Sequence, residues 1–129
     1  MLTAQLKCLA QNIYFEARNS NLADKAAVTD VVLNRVASPS YPNTICKVIH
    51  QRHQFSWYWD GKSDRPKNRD AWEQAKWVAY QMLYRGTFRG ITEGALMYHA
   101  TYVNPKWAKD YYLIGTIGKH KFYRQRSKR

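Results

Sequence analysis

Apolar side chains recur at helical spacing through the first half of the chain. Leu2, Leu6, Leu9 and Ile13 follow one another at intervals of 4, 3 and 4, which draws one apolar stripe along a helix over residues 3 to 17 and leaves Lys7, Gln11 and Arg18 on the other side. Asn19-Ser20-Asn21 breaks that helix and caps the next, asparagine being a residue that tolerates left-handed backbone. Leu22, Ala26, Thr29, Leu33 and Val36 repeat the pattern and predict a second helix from about residue 22 to 36, ended by Ser38-Pro39-Ser40. Pro42 and Thr44 introduce a short helix over residues 45 to 51. A fourth helix starts at Asp70 as N-cap with Glu73 three residues on, the spacing of a capping box, carries Trp72, Ala75, Ala79 and Met82, and stops at Gly86. Asp60 to Arg69, polar and holding Gly61 and Pro66, reads as a surface loop. Beyond Gly90 the helical spacing fades, and Ala95 to His99 with two short runs around Gly115 and Gly118 predict small strands or a hairpin. The expected fold class is α+β, mainly helical with a small β element.

A chain of 129 residues can bury one core without metal or disulfide staples, and no repeat or linker divides it. Residues 1–129 are therefore read as a single domain with a basic tail from about residue 119. No apolar run approaches the roughly 18 residues of a membrane span. Gln5, Lys7, Gln11 and Asn12 interrupt the place where a signal peptide needs an unbroken apolar core, so no export signal is expected.

Lys and Arg outnumber Asp and Glu by 21 to 9, which favours polyanionic partners through steering and counterion release. Nucleic acid and bacterial wall both qualify. Lys119, Lys121, Arg124, Arg126, Lys128 and Arg129 concentrate the excess at the end, either as a frayed solvated terminus or as a binding segment. Cys8 and Cys46 are too few for a disulfide scaffold but enough for one bridge.

One carboxylate stands out. Projected at 100° per residue, Glu16 falls with Leu9 and Ile13 on the apolar stripe of the first helix. Burial beside apolar groups disfavours the carboxylate, and the negative end of the helix dipole acts in the same direction, so its pKa is expected to rise. Arg18, two positions away, points to a different side. A carboxylic acid that keeps its proton near neutral pH can protonate a leaving glycosidic oxygen.

The segments NIYFEAR (12–18), AVTDVVLNRV (27–36), YPNTICKVIHQRHQFSW (41–57), ALMYHATYVNPKWA (95–108) and IGKHKFY (117–123) together resemble the SleB-like cell wall hydrolases, a family of spore cortex-lytic enzymes and phage endolysins. The resemblance covers nearly the whole chain in the family's order. It implies a lysozyme-like single catalytic domain and a lytic transglycosylase or muramidase acting on peptidoglycan, with Glu16 as the catalytic residue. The family commonly continues EAR with Gly-Glu and has a Gly a few residues on, where this chain has Asn19, Ser20 and Asp24. No second carboxylate is evident as partner: Asp24 and Asp30 belong to the second helix, Asp70 and Glu73 are read as capping groups, and Glu93 beside Gly94 as exposed.

Gln54, Phe55, Ser56 and Trp57, with Tyr98, His99 and Trp107, combine hydrogen-bonding groups with aromatic faces and are the candidate substrate-binding residues, since sugars present hydroxyls and apolar C–H faces. His120 and Phe122 read as structural residues closing the β element, and Asn34 and Arg35 as residues that order helix ends. Two other function classes compete. Cys46, His50 and His53 have the spacing of one helical face and would suit the zinc of a peptidoglycan amidase, although no second-shell carboxylate accompanies them. Burial of Cys46 near Cys8, with a disulfide outside the cytosol, is the favoured alternative. The charge of +12 also suits a nucleic-acid-binding domain, but no recognition signature accompanies it.

The reading is a peptidoglycan glycan-strand lyase or hydrolase that needs no cofactor and binds no metal. Its expected partners are glycan strands and, through the basic tail, an anionic wall or outer-membrane surface, with no specific nucleic acid, no transmembrane segment and a monomeric state. It is expected to act on the wall from the periplasm or outside, and the absence of an export signal suits a phage product released from the host cytoplasm.

Overall fold

The computed structural model describes residues 2–51 and 67–126. Among the described residues, four α-helices come first. α1 (Ala4–Ala17) is capped by Thr3, whose hydroxyl accepts the Leu6 N–H at 3.1 Å, and α2 (Leu22–Ala37) by Asn21, whose side chain accepts the Asp24 N–H at 2.8 Å. α3 (Ile45–Ile49) follows Thr44 as N-cap and ends two residues earlier than its sequence suggested. α4 (Arg69–Arg85) ends at Gly86, which adopts φ 69° in the left-handed region and closes the helix as its spacing predicted.

The β part lies at the other end of the chain. β1 (Met97–Ala100), a 3-10 turn (Lys106–Asp110), β2 (Tyr112–Ile117) and β3 (His120–Arg124) build an antiparallel sheet in the order β1-β3-β2. Tyr98 faces Phe122 across the β1–β3 pair, and a bulge between Leu113 and Gly115 interrupts the β2–β3 register. β1 starts at Met97 rather than at Ala95, and the carbonyls of Ala95 and Leu96 are taken by side chains of α2: Asn34 donates to the first and Arg35 to the second. The basic segment is not a free tail from residue 119. Lys119 lies in the hairpin turn, and Lys121 and Arg124 are strand residues.

α2 is the centre of the molecule. Every residue from Asp24 to Val32 is buried, because α1, α3 and α4 pack on one side and the sheet on another. Leu6, Leu9 and Ile13 of α1 meet Val32, Val48, Ile49, Val78 and Met82 in the main core. Ala27, Val28 and Val31 meet Ala95 and Phe122 in a second cluster under the sheet. Full burial stabilises each of the larger side chains by about 1.5–3 kcal/mol. The Cys8–Cys46 disulfide joins α1 to α3 across 38 residues of sequence, a constraint on the unfolded chain worth about 2–4 kcal/mol. Among the described residues no helix is long and apolar enough to cross a membrane.

Two local expectations change. The N-cap of α4 is Asn68, not Asp70: the Asn68 side chain accepts the Ala71 N–H at 3.0 Å, while Glu73 pairs with Lys76 at 2.8 Å instead of completing a capping box. The Tyr14 hydroxyl decides the matter by accepting the Lys67 and Asn68 N–H groups at 3.0 and 2.8 Å, which fixes the chain just before the helix begins. The Asn19-Ser20-Asn21 turn needs no left-handed residue. Arg18 stays right-handed, Asn21 is extended, and among the described non-glycine residues positive φ occurs at Phe88 and Glu93.

Candidate active site

Glu16 is the penultimate residue of α1, on the stripe continued from Leu9 and Ile13, which are fully buried while Glu16 itself is half-buried. β1 supplies its partner. Tyr98 and His99 are consecutive, so the pleat sends them to opposite faces of the sheet. Tyr98 takes the inner face with Phe122 and His120, and its hydroxyl donates to Glu16 Oε1 at 3.0 Å.

Four effects set the proton affinity of Glu16. Burial, the largest, pushes the carboxyl above its usual range, while the Tyr98 hydrogen bond and the charges of His120 and Arg35 pull it down. Burial wins. The Tyr98 hydroxyl is itself driven well above its ordinary range, by burial first and then by the neighbouring carboxylate, so it remains a donor throughout the accessible pH range. Arg18 takes no part in holding Glu16, as its position two residues on required: its guanidinium donates to the Tyr14 hydroxyl at 2.6 Å.

Beside His120, the cation that acts on Glu16 is Arg35, a residue whose sequence position suggests only that it orders a helix end. Its Nε donates to the Leu96 carbonyl at 2.7 Å and its guanidinium lies over the Tyr41 ring at 5.0 Å, both of which fix it beneath the sheet edge. A signal for it existed: Asp24, Val28, Val31 and Arg35 follow one another at intervals of 4, 3 and 4 along one face of α2, and all are buried. Asp24, too, is more than a helix residue. Its fully buried carboxylate receives the Ser20 hydroxyl, the Lys119 N–H at 3.0 Å and His120 Nδ1 at 2.8 Å. Burial alone would raise this carboxyl, but the hydrogen bonds from His120, Ser20 and Lys119 outweigh it and hold the group below its usual range.

The remaining site residues fall in three places. His99 and Trp107 belong to an aromatic cluster on the outer face, where His99 stacks on Tyr123 at 5.3 Å and Trp107 meets both edge-on. His99 Nδ1 donates to the Ala100 carbonyl at 2.7 Å, and Nε2 lies 2.8 Å from the Tyr123 hydroxyl, so both ring nitrogens are engaged. Gln54, Phe55, Ser56 and Trp57 lie outside the described residues, as does His53. Cys46 is bonded to Cys8, so no thiolate remains for the zinc site that its spacing with His50 suggested.

A model of the family described as Cell Wall Hydrolase matches residues 19–123. The chain belongs to that family. The match begins just after Glu16 and runs from before α2 to β3. Among curated relatives, a spore cortex-lytic enzyme of Bacillus subtilis strain 168 is 35% identical over 68 residues, 53% of this chain, and one of Bacillus cereus is 37% identical over 57 residues, 44% of this chain. The aligned part makes up 22% of the length of either relative. Two solved structures extend the likeness to nearly the whole chain. The catalytic domain of the germination-specific lytic transglycosylase SleB from Bacillus anthracis superposes with a TM-score of 0.76 at 29% identity, covering 96% of this chain and 97% of that one. The catalytic domain of the Bacillus cereus SleB protein gives 0.73 at 29% identity, covering 93% and 89%. The lysozyme-like α+β arrangement expected for this cell wall hydrolase is thus shared with the catalytic domain of a lytic transglycosylase.

Proposed function

We propose that the protein cleaves the glycan strands of peptidoglycan as a lytic transglycosylase, with Glu16 as its acid and then its base. The observation that carries this reading is a half-buried carboxyl whose proton affinity is raised by burial and whose one oxygen is oriented by the Tyr98 hydroxyl. With Tyr98 donating to Oε1, the transferable proton resides on Oε2. Glu16 gives that proton to the glycosidic oxygen between C1 of the muramic acid residue and C4 of the next glucosamine, the C1–O bond breaks, and the glucosamine leaves with a new hydroxyl. The resulting carboxylate takes the proton of the C6 hydroxyl while O6 bonds to C1, which closes a 1,6-anhydro ring and returns Glu16 to its acid form. No water is consumed and no second carboxylate is required. A water attacking C1 instead of O6 gives the muramidase outcome from the same acid.

Gln54, Phe55, Ser56 and Trp57, together with His99 and Trp107, are the proposed contacts to neighbouring sugars. Tyr98 acts instead as the orienting donor. The cation-rich segment from Lys119 onward would hold the enzyme to an anionic wall or outer-membrane surface, with action on the periplasmic or outer side and as a monomer.

Mass spectrometry of purified peptidoglycan after digestion tests this. Anhydromuramyl ends are the expected product, reducing muramic acid ends indicate hydrolysis, and freed stem peptides would contradict glycan cleavage altogether. Glu16→Gln is expected to lower turnover by about a thousandfold, within the range for loss of a general acid, without lowering the melting temperature. A variant with substantial residual turnover would remove Glu16 from the mechanism.

A further inference from the structure

A buried histidine–aspartate pair lies two side chains away from Glu16 and has no part in the proton transfer. His120 is nearly inaccessible and holds its Nδ1 against both carboxylate oxygens of Asp24, at 2.8 and 3.0 Å. A carboxylate only accepts, so Nδ1 carries a proton and the ring orientation is fixed. The mount is built from several elements. Asp24 is anchored at the start of α2 by the Ser20 hydroxyl and binds the backbone N–H of Lys119 in the hairpin turn. Gly118 leaves no room for a side chain there: a Cβ would lie 2.7 Å from Asp24 Cβ, at φ 57°. The mounted imidazole meets the Tyr98 ring in an edge-to-face contact at 5.2 Å, and Tyr98 is the group whose hydroxyl holds Glu16.

We propose that His120, held by Asp24, is a positioning residue for the reaction: it fixes the Tyr98 ring that orients Glu16, and its charge, when protonated, acts on the Glu16 carboxyl through the buried space between them. This rests on Glu16 being the catalytic acid. The direction of the charge effect agrees, since His120 is among the groups that pull Glu16 down against burial. The other groups facing this carboxyl are Tyr98 from β1 and Arg35 from α2. A guanidinium keeps its charge, whereas an imidazole exists in a neutral and a charged form, so His120 is the member of the set whose charge can vary.

The test is His120→Asn, whose amide can still donate to Asp24 from the place of Nδ1 while the ring and its charge are gone. Expected are a fall in kcat of about tenfold with KM little changed, because an acid is misoriented and no substrate contact is lost, and an upward shift of about half a pH unit in the limb on which activity falls with rising pH. A variant whose losses follow its folded fraction, with an unmoved pH profile, would make His120 merely structural and overturn the proposal. Should the variant fail to fold, the unaltered protein decides: the Glu16 13Cδ resonance must show an inflexion at the pH where the His120 ring titrates, and a curve without one overturns it. Glu16→Gln in the same assay separates the two levels, since activity in that variant would sink the catalytic reading itself, whereas its inactivity beside an unmoved His120→Asn profile sinks this inference alone.

Discussion

Two kinds of buried carboxyl stand within a few turns of one another. Asp24 and Asp30 on α2 have no exposed surface, yet each is surrounded by donors: Asp30 receives the Arg89 guanidinium, the N–H groups of Gly90 and Thr92 at 3.1 Å, and the Thr92 hydroxyl at 2.6 Å. Glu16 at the end of α1 is half-buried and is met, among the described residues, by the single hydroxyl of Tyr98. Burial disfavours the charged form of a carboxyl. What differs is the compensation. A carboxylate met by several N–H and O–H groups ties segments together, Asp24 the hairpin turn and Asp30 the loop from Arg89 to Thr92, and Asp24 is thereby held below its usual range. One met by a single phenol stays a proton donor. Depth of burial therefore does not mark the chemistry here; the number and kind of donors does.

Removing a structural carboxylate should break the fold before the chemistry. Asp30→Ala strands the Thr92 and Gly90 donors and the Arg89 charge, and is expected to cost about 3 kcal/mol or more in urea unfolding, with turnover per folded molecule retained. A smaller loss, about 2–4 kcal/mol, is expected for Cys8→Ser, which opens the link between α1 and α3 and likewise spares the acid. On the other side of the comparison, Tyr98→Phe removes the orienting hydroxyl and one of the groups opposing burial. Its turnover should fall about tenfold, roughly 1.4 kcal/mol in the barrier, and its pH profile should move upward; kinetics across pH would show a flat, unaltered profile if Tyr98 only packs.

The smallest effect has opposite signs for the two kinds. Glu16, raised above its ordinary 4.5, favours the fold when protonated, so its contribution is complete below 4.5 and is lost as pH climbs through the folded value. Asp24, held below its ordinary 3.8, contributes fully above 3.8 and loses its part as pH falls through its folded value. Stability curves of the unaltered protein and Glu16→Gln should accordingly diverge as pH rises from 4.5, the variant becoming relatively more stable. Parallel curves would place Glu16 in a water-like environment.

Much of this was legible in the chain. The helices of the first half and the stop at Gly86 follow from apolar spacing and from a glycine able to adopt left-handed backbone, both local properties. So does the placement of Glu16 on the buried stripe. The N-cap of α4 was misplaced because Asn68 and Asp70 are both good caps, and a tertiary contact, the Tyr14 hydroxyl on the preceding N–H groups, chooses between them. Asp24, Asp30 and Arg35 were missed as hubs for a related reason. α2 is buried almost all round, so its sequence has no polar side against which a buried charge looks out of place. The separation of Tyr98 from His99 depends on which face β1 turns to α2, and that is settled by the β1–β3 register, a pairing between segments far apart in sequence.

The account depends on Glu16 holding its proton where Asp24 has lost it. Side-chain carboxyl 13C titration of both residues in the folded protein measures this without reference to substrate. The expected result is a midpoint for Glu16 above 4.5 and one for Asp24 below 3.8. A Glu16 midpoint at or below 4.5 would mean that no poised acid exists at the end of α1, and the proposed glycan cleavage would lose its proton donor.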